Sequence, residues 1–260
     1  MNQTYILSNV DVTELAMYLF VIFFFGLILY LRREDRREGY PLEEDTTGRL
    51  EKVEGLLWVA EPKVFRLPHG RGQKVVPNMD RDLPVTKAKR MAVWPGAPIN
   101  PVGDPLSAGV GPGAFAERSR SPDMTEHGVP RIAPLRVAKD FAIASNDPNP
   151  VGMQVFGVDD KLAGAVVDVW VDRGEHMIRY LEVETTAALG AKRVIVPMPM
   201  LVVNRGKRTI RVDAVTAAQL AAAPTVATAD QISLYEEDRI SAYFGAGYLY
   251  AMPTRTEAQL

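Results

Sequence analysis

The sequence predicts an α+β, mainly β chain: one N-terminal transmembrane helix, an extended irregular segment, and a small antiparallel barrel or sandwich followed by short helices. Three observations predict it. Leu15 to Leu31 is an uncharged apolar run, residues 38–150 keep no sustained period of 3.6 or 2, and runs rich in Val, Ile and aromatics crowd together after Val151. At 260 residues, with 47% hydrophobic and 24% charged content, there is room for one or two packed domains, which excludes a disordered or collagenous chain. With no cysteine, thiol nucleophiles, thiolate metal sites and iron–sulfur clusters are excluded as well.

The first element is LAMYLFVIFFFGLILYL, which alone covers roughly 25 Å. If Asp11 is the N-cap and Glu14 the N3 residue, the helix runs from Val12 to Leu31 and reaches about 30 Å, enough for a bilayer. Arg32, Arg33, Arg36 and Arg37 follow it, and no base precedes it, so the positive-inside rule puts Met1 outside and the bulk of the chain in the cytoplasm. A secretory signal peptide would carry its bases before the apolar stretch and a small-residue cleavage site after it; neither is present. A buried core helix is the other alternative. From Arg32 onward 30 acids balance 30 bases, which argues against a nucleic-acid partner.

Residues 38–150 should hold little regular structure beyond short apolar stretches at Gly55–Val59 and Val64–Leu67. Pro95 to Gly113 contains ten Pro or Gly in nineteen positions, interleaved with Ile99, Val102, Leu106 and Val110. Such a stretch is stiff and partly apolar, and the favoured expectation is that another protein supplies the surface that orders it.

From Val151 the expected strands are Met153–Val158, Leu162–Asp172, Met177–Glu184 and Arg193–Met198, then Leu201–Val203 and Thr209–Val212 around a turn where Gly206 supplies positive φ. In VVDVWVD the core face should be Val167, Val169 and Val171, with Asp168, Trp170 and Asp172 on the other face. Helices are expected near Thr216–Ala222 and Glu236–Tyr243. The organisation is therefore 1–37 (tail, span, basic flank), 38–150 (irregular) and 151–260 (β domain with C-terminal helix).

LRREDRREGYPLEED (Leu31–Asp45), FRLPHGRG (Phe65–Gly72), NPVGDPLSAGVGPGAF (Asn100–Phe115), VVDVWVD, RYLEVE (Arg179–Glu184) and YEEDRISAYFGAGYLYA (Tyr235–Ala251) occur in one order behind a single span. The chain thereby resembles the H-subunit family of purple bacterial photosynthetic reaction centres over almost its whole length. The resemblance implies a small cytoplasmic PRC barrel from about Val151, and an irregular segment draped over the L and M subunits. It also implies a pigment-free cap, not an enzyme, in the bacterial inner membrane, that shields the quinone sites and helps deliver protons to the secondary quinone. Bacteriochlorophyll, bacteriopheophytin, quinones and non-haem iron would belong to the partner subunits, with none bound by this chain alone. A cytochrome subunit, light-harvesting antenna and membrane lipids are further candidate neighbours.

Proton delivery to a buried quinone needs titratable groups whose pKa can be tuned. Asp172 and Glu175 flank a short turn, with Arg179 in the next strand, and the resemblance assigns these three to the proton path. It assigns Asp123, Glu126 and His127, in SPDMTEHGVP upstream of RIAPLR (Arg131–Arg136), to the proton entrance. Relatives carry a second His where Val129 stands and an acid where Thr125 stands, so no metal site is expected here. Glu236, Glu237 and Asp238 suit the first turn of a helix, with Glu237 a candidate for long-range electrostatic influence on the quinones. His69 and His176 lack partners at ligand spacing, and GAG at Gly245–Gly247 lacks the spacing of a dinucleotide site. Two other classes remain as alternatives: a membrane-tethered cytoplasmic enzyme, which should show a convergent catalytic set that is not visible, and a barrel adaptor without a photosynthetic role.

Overall fold

The computed structural model describes residues 5–7, 10–40, 42–50, 60–78 and 87–256, so the expected stretch Gly55–Val59 lies outside the described residues. The chain divides into two compact units, Met1–Arg81 with Trp94–Gly96, and Asp82–Val93 with Ala97–Leu260.

In the first unit, β1 (Tyr5–Leu7) and β2 (Val10–Asp11) pair antiparallel ahead of α1 (Val12–Glu34). Asp11 caps α1, its Oδ1 accepting the Glu14 N–H at 2.8 Å. The helix starts at the expected residue and continues a turn beyond Leu31, because Arg32 and Arg33 in that last turn suit the negative end of the helix dipole. No residue of α1 is buried, and its length and composition suffice to cross a membrane. A hairpin of β3 (Lys63–Arg66) and β4 (Gln73–Val76) follows, with Val64 opposite Val75 and Phe65 opposite Lys74.

The second unit opens with a small hairpin of β5 (Ala88–Arg90) and β6 (Ile99–Pro101), and β7 (Ile132–Pro134). Then come β8 (Gln154–Phe156), β9 (Leu162–Asp172), β10 (Met177–Thr185), β11 (Arg193–Pro197), β12 (Leu201–Asn204) and β13 (Thr209–Val212). They form one half-barrel sheet in the order β11-β10-β9-β8-β13-β12, with β7 added to the far end of β9. Among the described residues of this sheet, only the β8–β13 pairing is parallel. Register shifts in β9–β10, after Ile178 and after Glu182, mark the irregularities that let the long ribbon bend. Two helices complete the unit, α2 (Ala217–Ala222) and α3 (Leu234–Tyr250), each opened by a reciprocal capping box, Thr216 with Gln219 and Ser233 with Glu236. The Tyr243 hydroxyl donates to the Gln219 carbonyl at 2.8 Å and ties α3 to α2.

Among the described residues, 38–150 hold sparse regular structure, two short hairpins and the barrel strand β7. Four expectations are corrected. On β9, Val169 and Val171 are buried as expected, but Trp170 and Asp172 are buried too, whereas Val167 is only half-buried. The second face is covered because β7 pairs with Trp170–Asp172 and brings Arg131 and Arg136 over it. At the β12–β13 turn positive φ falls on Arg208, not Gly206, and Asn204 Oδ1 accepts the Lys207 N–H at 2.9 Å. α3 extends well past Tyr243 in a continuous apolar face that includes Phe244 and Ala246.

The fourth correction concerns the Pro/Gly segment. Leu106, Ala108 and Val110 are buried within the second unit itself, worth roughly 2 kcal/mol for Leu106 alone. The chain packs so closely on α3 that a Cβ at Gly113 would lie 3.2 Å from Ala246 Cβ. A Cβ at Gly247 would meet the Ala214 carbonyl oxygen at 2.3 Å, which gives GAG its structural reason. Ile99 and Val102, by contrast, are each half exposed. The protein's own last helix thus orders one half of the segment.

Candidate functional site

The antiparallel β9–β10 pair puts Asp172 and Met177 opposite each other, so residues 173–176 form the connecting turn, closed by His176 at φ 54°. Asp172 accepts the backbone N–H groups of Gly174 (2.9 Å) and Glu175 (3.0 Å), which shapes the turn and points Glu175 outward. β7 lies along the same end of β9, and Arg131, just before it, reaches across. Its guanidinium bonds Asp172 at 3.0 Å and Glu175 at 2.7 Å, and pairs with Asp123 at 3.5 Å. Asp123, expected at the proton entrance, and Asp172 and Glu175, expected on the proton path, therefore belong to one network. Arg179 adds a longer contact to Glu175 at 3.9 Å. Glu126 and His127 stand apart, both largely exposed and 3.4 Å from each other.

The electrostatics separate the acids. Burial works against ionisation of Asp172, but Arg131 and the two backbone donors outweigh it and hold its carboxyl below the usual range. Asp172 in turn pushes the Arg131 guanidinium up, so this pair stays charged. Glu237, in the first turn of α3, behaves oppositely: burial raises its pKa, against the lowering pull of Arg179, the Tyr180 hydroxyl and Arg118. Tyr180 donates to Glu237 at 3.4 Å and is itself held up by burial and by that neighbouring charge, so it remains a phenol.

A groove of about 800 Å³ opens beside this network, lined among others by Thr125, His127, Arg131, Arg173 and His176. Two of its lining residues contribute buried polar atoms without a protein partner, Thr125 Oγ1 and Arg173 Nε. Among the described residues no group of three His, Asp or Glu side chains is arranged to hold a metal ion. His69 sits in the β3–β4 turn at φ 58°, and His176 packs edge-on to Phe141 at 5.2 Å.

The sequence marks no role for Arg131 or Arg136 in RIAPLR. Arg136, just past β7, bonds Asp168 at 2.9 Å, Glu182 at 2.6 Å and Asp230 at 3.1 Å, and its guanidinium lies 5.9 Å from the Trp170 ring. Glu182, 3% exposed, also accepts the Trp170 indole N–H at 2.9 Å. Two arginines flanking a short apolar strand, opposite strands bearing inward acids, was the signal available.

The described residues combine one helix long and apolar enough to cross a membrane with a half-barrel sheet that carries an acid–arginine network. The family model described as photosynthetic reaction centre, H-chain N-terminal region, matches residues 4–137, more than half of the chain. The PRC-barrel domain model matches residues 144–219. The chain belongs to the reaction centre H-chain family, with a PRC barrel as its β domain, and so associates with reaction centre core subunits at a membrane.

Proposed function

We propose that this chain is the pigment-free cap on the cytoplasmic face of the L and M subunits, with its N-terminus periplasmic, in the bacterial inner membrane. In this reading Val12 to Leu31 crosses the bilayer, and the β domain shields the quinone sites and passes protons toward the secondary quinone. Bacteriochlorophyll, bacteriopheophytin, the quinones and non-haem iron are held by the partners. The supporting observation is the Arg131 network, which joins Asp123 on one loop to Asp172 and Glu175 on another.

The chemistry divides the roles. Asp172, kept ionised, is a fixed anion that anchors Arg131. Glu175, half exposed and bonded at the network's edge, is the group free to exchange a proton with the groove, where the partnerless Thr125 and Arg173 atoms suit hydrogen bonds to water. Arg179 holds a 3.9 Å contact with Glu175, and Glu237, whose pKa burial raises, is a second proton-binding group beside Tyr180. Glu126 and His127, exposed on the same loop as Asp123, collect protons from solvent. The test is the absorption spectrum of the gently solubilised complex. Co-purifying near-infrared bacteriochlorophyll bands are expected; a colourless, self-sufficient chain overturns the reading in favour of a tethered enzyme or an adaptor.

A further inference from the structure

The β3–β4 hairpin is fastened to the end of α1. Lys63 Nζ pairs with Glu34 at 2.7 Å, and Arg37 bonds Glu34 at 2.8 Å, the Val76 carbonyl at 3.0 Å and the Glu61 carbonyl. Glu34 stands three residues beyond Leu31, about one helical turn. If α1 spans the bilayer, these bonds hold the hairpin at the depth of the lipid headgroups. Between helix end and hairpin lies a notch of about 370 Å³, lined by Tyr30, Arg33, Glu34, Arg37, Glu61 and Lys63, together with Pro62. Glu34 is already shared by two cations. Arg33 is half-buried and has no hydrogen-bond or ion-pair partner among the described residues, so a cation faces the notch uncompensated.

The hairpin itself has the composition of a membrane-surface element. From Pro62 to Asn78 it carries Lys63, Arg66, Arg71 and Lys74 and no acid. Val64, Phe65 and Val75 are 58%, 47% and 42% exposed among these bases. Bases draw such a segment to anionic lipid, and apolar side chains between them enter the headgroup layer.

We propose that the notch holds the headgroup of an anionic phospholipid, with the phosphate on Arg33, and that the hairpin lies on the same leaflet. The occupant follows from charge complementarity and from continuity with the spanning helix, on which the proposal rests. Since the chain has no cysteine, a single Val64→Cys change accepts one nitroxide in the full-length protein. In nanodiscs of phosphatidylcholine mixed with phosphatidylglycerol, that label should become more accessible to oxygen and less to an aqueous nickel chelate than in phosphatidylcholine alone. Native mass spectrometry should find phosphatidylglycerol retained by the wild type, retained about fivefold less by Arg33→Gln, and unchanged for Arg32→Gln. Equal label depth in the two discs, or equal retention by wild type and Arg33→Gln, overturns the proposal. So does a label that is shielded only after core subunits are added, which would make the hairpin a protein-docking face. A chain that fails to enter discs at all would refute the span itself and is distinguishable from these outcomes.

Discussion

Arg131 and Arg136 stand on either side of β7, five positions apart, and each gathers three carboxylates, yet they sit in different surroundings. The partners of Arg136 include two on strands, Asp168 and Glu182, and Glu182 is buried against the Trp170 indole. The partners of Arg131 are buried Asp172 at the end of β9, Glu175 on the turn after it and Asp123 on the loop before β7, and Glu175 is half exposed beside an open groove. The same side chain thus fastens the sheet at one end and organises an accessible acid at the other. Each arginine holds one buried acid, Asp172 or Glu182; what differs is that Arg131 also holds Glu175 beside the groove.

The widest gap between the two should appear in stability. Arg136→Ala takes the 2.6 Å partner from buried Glu182, which keeps only Arg193 at 3.4 Å and the Trp170 indole, and should cost about 3 kcal/mol, whereas Arg131→Ala should cost about 1 to 2 kcal/mol, because buried Asp172 keeps its two backbone donors while Glu175 and Asp123 rehydrate. Chemical denaturation of the full chain in detergent checks this, and equal losses would erase the distinction. Trp170→Phe, which deletes one hydrogen bond to Glu182, should cost about 1 to 2 kcal/mol in the same assay. Proton-coupled second electron transfer should reverse the order. Glu175→Gln in isolated reaction centres should slow it by roughly tenfold, while Arg136→Lys should leave its rate untouched; unchanged kinetics for Glu175→Gln at neutral pH remove that residue from the path.

The smallest effects are in pH dependence. The folded carboxyl of Asp172 lies below its unfolded value, so its contribution is present above about pH 4 and lost as pH falls through the folded value. Asp172→Asn should therefore flatten acid unfolding below that point. Glu237 is shifted the other way: its proton is held more tightly in the folded chain, so stability falls as pH climbs above 4.5 through the raised value. Glu237→Gln should remove that decline and gain on wild type at neutral pH, with thermal melts across pH as the measure. If the two variants respond alike, the assignment of one fixed and one proton-binding acid fails.

Much of the fold was legible because its signals are local. Asp11 and Glu14 mark the start of α1, and the Val/Ile-rich runs mark β9 to β13 to within a residue or two. What was not legible depends on partners distant in sequence. Trp170 and Asp172 read as an outer face because nothing in VVDVWVD announces that β7 will cover them. Likewise Leu106 and Val110 gave no sign that α3, rather than another protein, would receive them. Of the site, the acids were readable by type and the turn by its Arg-Gly pair. Their junction through Arg131 was not, since a base 41 residues before Asp172 has no sequence mark that aims it there.

The close seat of Gly113 on Ala246 also bears on how the chain is made. Synthesis runs from the N-terminus, and domains fold as their residues emerge. The greasy first helix is ready for the insertion machinery early, but Leu106 and Val110 have no surface to land on until α3 leaves the ribosome. The nascent polypeptide is thus tethered at one end while its middle waits, and a chaperone would find its binding window in that interval.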